Sequence, residues 1–316
     1  MIQRKKINLF FFGAGPTIES HINASKHVSG FNLYAINSRT RSKAELLKKK
    51  YKIKYFLNDI KRDYLPKESI NIAIIAVTIQ NTYLVFKKIF KLFDICLLEK
   101  PAGYNYNEAK LIYSLSKKSK TKFYVSLNRR FFSSTMKLRY FLNKEKSLRF
   151  LNIIDTQTPK FLKKRFNKKI IRNFIFSHSI HLIDYIYFIC RGTLLSINYL
   201  SSLCKNIKIF NFKFSSGDFC TYTQIFNRPG PWSVKISTKK KFYKLEPLEN
   251  LSYRDINSYK YNNIKIDDVD LKFKPGFVEI YRNLKLLILG KKNQLVSLKE
   301  SLDLMKLINI IFKKSK

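Results

Sequence analysis

Acidic side chains are scarce in this sequence: 21 Asp and Glu stand against 62 Lys and Arg over 316 residues, a formal net charge of +41. Such a balance excludes an acidic, cation-buffering protein and raises nucleic acid or an anionic membrane surface as partners. The basic residues are scattered, however, in short runs such as Lys48-Lys49-Lys50 and Lys239-Lys240-Lys241. Lys is accompanied by much Ile, Asn, Phe and Tyr, all with A- and T-rich codons, so the pattern reads as a solvated surface under codon drift rather than a nucleic-acid footprint. Long apolar runs are also missing. No stretch reaches the roughly 18 uncharged apolar residues that a membrane-spanning helix needs, so no membrane partner is expected. The opening MIQRKK-INLFFF breaks at Gly13-Ala14-Gly15-Pro16 without a small-residue cleavage pattern and reads as a buried strand, not a signal peptide. Cysteine is sparse: Cys96, Cys190, Cys204 and Cys220 lie far apart with no C-x-x-C pair, which excludes a zinc knuckle or a disulfide framework and fits a reducing cytoplasm. Internal repeats and low-complexity linkers are absent.

What is present alternates. The runs 7–13, 31–37, 70–78, 95–100 and 122–127 are short and apolar, with helix-like stretches such as 42–51 and 107–119 between them. Near-continuous apolar strands interleaved with helices imply βαβ units and a parallel sheet buried on both faces. After about residue 125 the pattern shifts to long strand-like runs, among them RFLNIIDTQ, IKIFNFKFSS and DFCTYTQIF. In WSVKIST the apolar Trp232, Val234 and Ile236 alternate with Ser233, Lys235 and Ser237, as in a sheet with one wet face, and Ser215-Ser216-Gly217-Asp218 reads as a hairpin turn. The expected fold class is an α/β Rossmann domain with a parallel sheet, residues 1–125, followed by an α+β domain, 126–316, with a large open, mainly antiparallel sheet. The clearest helix of the second domain is 173–189.

Gly13-Ala14-Gly15-Pro16 follows the first strand, where a dinucleotide fold needs a tight turn and close approach of backbone to pyrophosphate. Pro16 suits the first helical turn, and the helix start offers N–H groups and a positive dipole end to phosphate. Ile18 replaces the third glycine of G-x-G-x-x-G. The second strand ends at Asn37-Ser38-Arg39. An acid here would accept the ribose 2′-hydroxyl; Ser38 and Arg39 instead offer donors and charge to a 2′-phosphate, so NADP is expected over NAD.

The stretch SHSIHLID, 177–184, holds two of the four histidines. On a helix Ser177, His181 and Asp184 or Tyr185 share a face. His178, His181 and Asp184 could offer metal ligands, but nothing nearby in sequence completes the shell, so no metal is expected. Oxidation of a carbinol needs a base for the hydroxyl proton and positive charge for the developing alkoxide. Lys100, at the C-terminal end of an expected buried strand, and His181, which titrates near neutrality, suit those tasks.

Taken together, Gly13-Ala14-Gly15 with His21, Thr78 and Asn81, Glu99-Lys100-Pro101, Asn128-Arg129-Arg130-Phe131, and His181 with Asp184 resemble the glucose-fructose oxidoreductase/inositol dehydrogenase/MocA family along nearly the whole chain. Pro247-Leu248-Glu249 and Lys274-Pro275-Gly276-Phe277 resemble pieces of members found in sugar and surface-polysaccharide metabolism. The resemblance implies hydride exchange between a nicotinamide cofactor and a sugar-like hydroxyl or ketone, with Lys100 and His181 around the substrate and Asp184, Arg129 and Ser177 in support. It implies cofactor contacts from Gly13, Ala14, Gly15, Pro16, Ser38, Arg39, Thr78, Asn81, Glu99, Lys100 and Asn128. It also implies homodimers or homotetramers formed through the open sheet. His21 matches a family position and reads as structural. Tyr83 stands where the family often has histidine, which leaves ring stacking near the nicotinamide and simple packing both open. Many catalytic members carry an acid where this chain has Ser177. A working enzyme and a cofactor-binding relative without turnover therefore both remain open.

Overall fold

The computed structural model describes residues 5–158, 171, 173–200 and 206–314. Contacts divide the chain into two units, Met1–Asn128 with Lys272–Met305, and Arg129–Leu271 with Lys306–Lys316.

The first unit is built on a seven-stranded sheet. Its strands are β1 (Ile7–Phe12), β2 (Phe31–Asn37), β3 (Tyr55–Phe56), β4 (Ile70–Ile75), β5 (Ile95–Glu99), β6 (Lys122–Ser126) and, from the returning chain, β15 (Val296–Ser297). Their spatial order is β15-β6-β5-β4-β1-β2-β3. All neighbours are parallel except β15, which pairs antiparallel with β6 through Val296 and Val125. The order 3-2-1-4-5-6 is that of a dinucleotide-binding fold. Helices α1 (Pro16–His27), α2 (Arg41–Tyr51), α3 (Thr82–Ile89) and α4 (Tyr106–Ser116) form the crossovers. Leu9 to Phe12, Ile72 to Ile75 and Ile95 to Leu98 are all buried, because strands covered on both faces leave no wet side for alternation.

The second unit carries an eight-stranded sheet that includes β8 (Leu194–Leu200), β12 (Lys241–Leu245), β13 (Leu251–Asp255) and β14 (Asn262–Ile264), in the order β14-β13-β12-β11-β7-β10-β9-β8. β7 (Phe150–Gln157) and β10 (Phe219–Phe226) run parallel at its centre, and every other pair is antiparallel. Burial alternates strictly along β7: Leu151, Ile153, Asp155 and Gln157 are buried, and the residues between them are not. In β11 (Trp232–Ser237) the alternation is imperfect, since Ser233 is buried together with Val234 and Ile236 while Trp232 is only half-buried. The hairpin between β9 (Ile207–Phe214) and β10 turns at Gly217, whose φ of +84° favours glycine.

The helix expected over 173–189 is interrupted in character. Ile175–Ser179 form a π-helical turn, and the regular helix α6 runs Ile180–Ile189. Three further helices lie beyond the sequence-based reading: α5 (Ser133–Asn143), α8 (Phe277–Ile288) and α9 (Leu298–Lys314), with the short α7 (Asp268–Lys272) before α8. Of the cysteines, Cys96, Cys190 and Cys220 are buried free thiols; Cys204 lies outside the described residues. No helix among the described residues is long and apolar enough to cross a membrane.

Candidate active site

Parallel strands bring the candidate residues of the first unit to one edge of its sheet. β1, β2, β4, β5 and β6 end at Phe12, Asn37, Ile75, Glu99 and Ser126, so the segments beginning with Gly13, Ser38, Thr78, Lys100 and Asn128 emerge along the same carboxyl edge. Open α/β sheets bind their ligands at that edge.

The turn after β1 requires glycine for two separate reasons. Gly13 has φ +118°, and a Cβ there would stand 2.5 Å from the Ala76 carbonyl oxygen, so only glycine lets β1 pass its neighbour. Gly15 is different: a Cβ would meet nothing within 4 Å, which leaves open room where a phosphate would approach. α1 begins at Pro16, with Gly15 as its cap and no side chain bonded to the cap. Ile18 is fully buried in the third glycine's place. Glu19, in the first turn, would repel an anion, but its carboxylate is engaged by Lys50 at 2.7 Å and Tyr51 at 2.6 Å. The Lys50 hydrogen bond holds that carboxyl below its ordinary value.

At the end of β2, Asn37 donates to the carbonyls of Leu57 and Asn58 at 2.7 and 3.0 Å, and its own carbonyl accepts from Gly13 N–H at 2.8 Å. The two strand ends are thereby tied together. Ser38 Oγ accepts from Thr40 N–H at 3.2 Å, Arg39 is exposed, and no acid lies in the first turn of α2. Thr78 caps the short turn Ile79–Asn81, and Asn81 donates from its side chain back to the Thr78 hydroxyl. Tyr83 is half-buried on α3.

Glu99 and Lys100 close β5. Lys100 is half-buried and joined to Pro101 by a cis peptide bond. The loop that follows is pinned twice: Asn105 caps α4 by accepting from Glu108 N–H at 3.0 Å, and Glu108 accepts from Tyr104 N–H at 2.8 Å. Glu99 belongs to a buried chain that the sequence did not reveal. Its Oε1 lies 2.9 Å from His21 Nε2, while His21 Nδ1 lies 3.2 Å from the Tyr281 hydroxyl, and His21 has no exposed surface. Burial pulls the Glu99 carboxyl upward, but His21 and the nearby Lys100 outweigh it and bring it below the ordinary value. His21 is thus a structural residue that holds the acid next to Lys100. Asn128, after β6, donates to the Pro275 carbonyl at 3.1 Å, so the returning segment Lys274–Phe277 is bound to the same edge.

In the second unit, Ser177 lies in the π-helical turn and donates to the Phe174 carbonyl at 3.1 Å; His178 stacks on Phe174 at 4.5 Å. His181 is buried in the first turn of α6. Asp184 is held by Arg130 of the same unit, in a two-point pair with Nε donating to Oδ2 at 2.7 Å and Nη2 to Oδ1 at 2.6 Å. Arg129 stacks against Trp232, 5.1 Å from the ring centre.

Sequence reading missed a further group entirely. Asp155, with no exposed surface, accepts from Tyr222 Oη at 2.5 Å and from the Gln157 side chain. Gln224 lies opposite it in the β7–β10 register and reaches Ser179 Oγ at 3.4 Å. Burial pushes the Asp155 carboxyl upward, against the hydrogen bonds of Ser179, Tyr222 and Gln157. The signal was available: Asp155 shares the strand face of Leu151 and Ile153, and a lone acid on an apolar face implies a built polar network. No group of three His, Cys, Asp or Glu side chains able to hold a metal occurs among the described residues.

Comparison with known proteins agrees with this geometry. Residues 7–127 match the family model described as an oxidoreductase family with an NAD-binding Rossmann fold. No curated protein sequence matches the chain. Solved structures resemble it over nearly its full length. A UDP-N-acetylglucosamine 3-dehydrogenase from Acidithiobacillus ferrooxidans aligns over 97% of this chain and 96% of its own at 10% identity, TM-score 0.74. An oxidoreductase from Agrobacterium radiobacter, solved with NAD+, L-tartaric acid and magnesium, covers 98% and 96% at 13% identity, TM-score 0.76. A levoglucosan dehydrogenase in complex with NADH and levoglucosan covers 98% and 96% at 12% identity, TM-score 0.78. At these identities the likeness is one of fold.

Proposed function

We propose that this protein is an NADP-dependent oxidoreductase of a sugar or sugar-derivative hydroxyl or ketone, of the kind used in surface-polysaccharide metabolism, a reading supported by the match of residues 7–127 to the oxidoreductase family model with an NAD-binding Rossmann fold. The observation that carries the reading is the shared carboxyl edge holding the Gly13–Pro16 turn, Ser38-Arg39 and Lys100. The room at Gly15 and the acid-free end of β2 fit a pyrophosphate and a 2′-phosphate. Ser38 and Arg39 take the 2′-phosphate; Thr78, Asn81, Glu99 and Asn128 line the remainder. The cofactor, when bound, exchanges a hydride with the substrate carbon. Lys100 then supplies positive charge to the substrate oxygen as it becomes alkoxide, and His181 moves the hydroxyl proton. Ser177 and Asp184 support His181, Asp184 through its pair with Arg130. The dehydrogenases of UDP-N-acetylglucosamine and levoglucosan among similar structures support a sugar-type substrate. Copies associate through the open sheet as dimers or tetramers, which light scattering reads directly.

The test is a titration with NADPH and NADH followed by nicotinamide fluorescence, beside Arg39→Ala. NADPH binding that weakens about tenfold or more in Arg39→Ala, with NADH unaffected, supports the cofactor reading. Binding of neither cofactor overturns it. Cofactor binding with no turnover of any keto-sugar, and no effect of Lys100→Ala, favours a silent relative.

A further inference from the structure

Among the described residues of the second unit, the arginines that lie partly or fully out of solvent differ in what meets them. Arg130 is paired with Asp184, and Arg191 with Asp218 at 2.6 Å. Arg149 donates to the carbonyls of Ile189 and Leu142 at 2.7 and 2.8 Å. For the half-buried Arg129 the close side-chain contacts among the described residues are aromatic. Its guanidinium lies 5.1 Å from the Trp232 ring and 5.8 Å from that of Phe132, and its Nε is buried with no hydrogen-bond partner.

No carboxylate lies within ion-pair distance of it among the described residues, and Glu249 acts on it only at longer range. The residues outside that set, 1–4, 159–170, 172, 201–205 and 315–316, contain no Asp or Glu that could supply the charge. A partly desolvated cation without a close counter-charge is costly to keep, and burial accordingly disfavours the charged form of Arg129. Cation–π contact offsets part of that cost but leaves the buried Nε–H without a partner. Trp232 is itself fixed, donating from Nε1 to the Thr156 carbonyl at 2.7 Å, so one face of the guanidinium plane is backed by a rigid ring. A stacked arginine with an unpartnered Nε–H is suited to receive a planar or tetrahedral oxyanion.

We propose that Arg129, backed by Trp232, is an anion-recognising subsite, and that the sugar-type substrate of this protein carries a carboxylate or a phosphate. The inference rests on the oxidoreductase reading for the word substrate, but anion recognition itself is tested without turnover. Trp232 is the single tryptophan of the chain, so its emission reports on the guanidinium that stacks against it. The experiment titrates the intact protein, without nicotinamide, with D-glucuronate, glucose 6-phosphate, inorganic phosphate and, as neutral control, D-glucose, following tryptophan emission. Arg129→Met and Arg129→Lys are measured in parallel, with circular dichroism as the check on folding.

A saturable response to glucuronate or glucose 6-phosphate, with D-glucose at least about tenfold weaker, is expected from the strength of charged hydrogen bonds. Arg129→Met should abolish that preference, and Arg129→Lys should retain part of it, because a point charge cannot reproduce the fork. Glucuronate and glucose 6-phosphate separate the two sources of the anion, and inorganic phosphate competes only if the phosphate itself is what is read. Equal binding of glucose and the anions, no response to any anion, or an anion affinity unchanged in Arg129→Met overturns the proposal. Should Arg129→Met fail to fold, the wild-type contrast between charged and neutral sugars decides alone. NADPH binding without anion binding discards this inference and keeps the oxidoreductase reading; anion binding without nicotinamide binding does the reverse.

Discussion

Two residues show how closely the site is tied to stability. At Gly13 the backbone conformation and the 2.5 Å approach to the Ala76 oxygen act together. Gly13→Ala must strain the turn or push β1 away from the segment after β4. A loss of about 2 kcal/mol or more is expected in urea unfolding, together with loss of nicotinamide binding. Gly15→Ala has space for its methyl group, so it should leave stability nearly unchanged and weaken only cofactor binding. Equal destabilisation of the two variants would contradict this division. Asp184 behaves differently, because its partner is buried as well. Asp184→Ala removes the carboxylate that pairs with the Arg130 guanidinium and should cost about 3–5 kcal/mol, whereas Arg130→Met combined with Asp184→Leu should recover most of it. Urea midpoints of the three proteins check this.

At the scale of elements, two strand-borne acids respond oppositely to pH. Glu99 ends β5 with its carboxyl below the ordinary 4.5, so the unfolded chain takes up the proton first. Its contribution to stability is complete above 4.5 and drains away as pH falls from there through the folded value. Asp155 on β7 is displaced upward from 3.8, so the folded protein keeps the proton longer. Stability therefore declines as pH rises above 3.8 until the folded carboxyl ionises. Asp155→Asn keeps an acceptor for Tyr222 and removes the titration; it should abolish the decline and cost less than about 2 kcal/mol at acid pH. Unfolding free energies measured across the acid to neutral range decide it: a decline that persists in Asp155→Asn locates the titrating group elsewhere. Tyr281→Phe removes the far end of the Glu99 chain and should cost about 1 kcal/mol.

Across the whole molecule, sequence legibility followed locality. The strands expected at 31–37, 95–100 and 122–127 appear as Phe31–Asn37, Ile95–Glu99 and Lys122–Ser126, because a continuous apolar run bounded by turn residues is a local signal. The helices Phe277–Ile288 and Leu298–Lys314 were not anticipated, and neither was the return of the chain to add β15 to the first sheet. A two-residue strand such as Val296–Ser297 has no period to read, and its pairing with β6 spans more than half the sequence. The site divided in the same way. Gly13–Pro16 and Lys100 stand at strand ends and were visible, whereas the links from Tyr281 through His21 to Glu99 join residues far apart in sequence. The net charge belongs to this scale too. A chain at +41 repels itself when compact, and salt screens repulsion between exposed charges while leaving buried pairs such as Arg130–Asp184 largely untouched. The thermal midpoint should therefore rise as sodium chloride is raised from low to physiological strength, in the wild type and equally in Arg129→Met. A midpoint that instead falls with salt would mean that exposed ion pairs outweigh the repulsion, and that the scattered lysines are organised into stabilising networks.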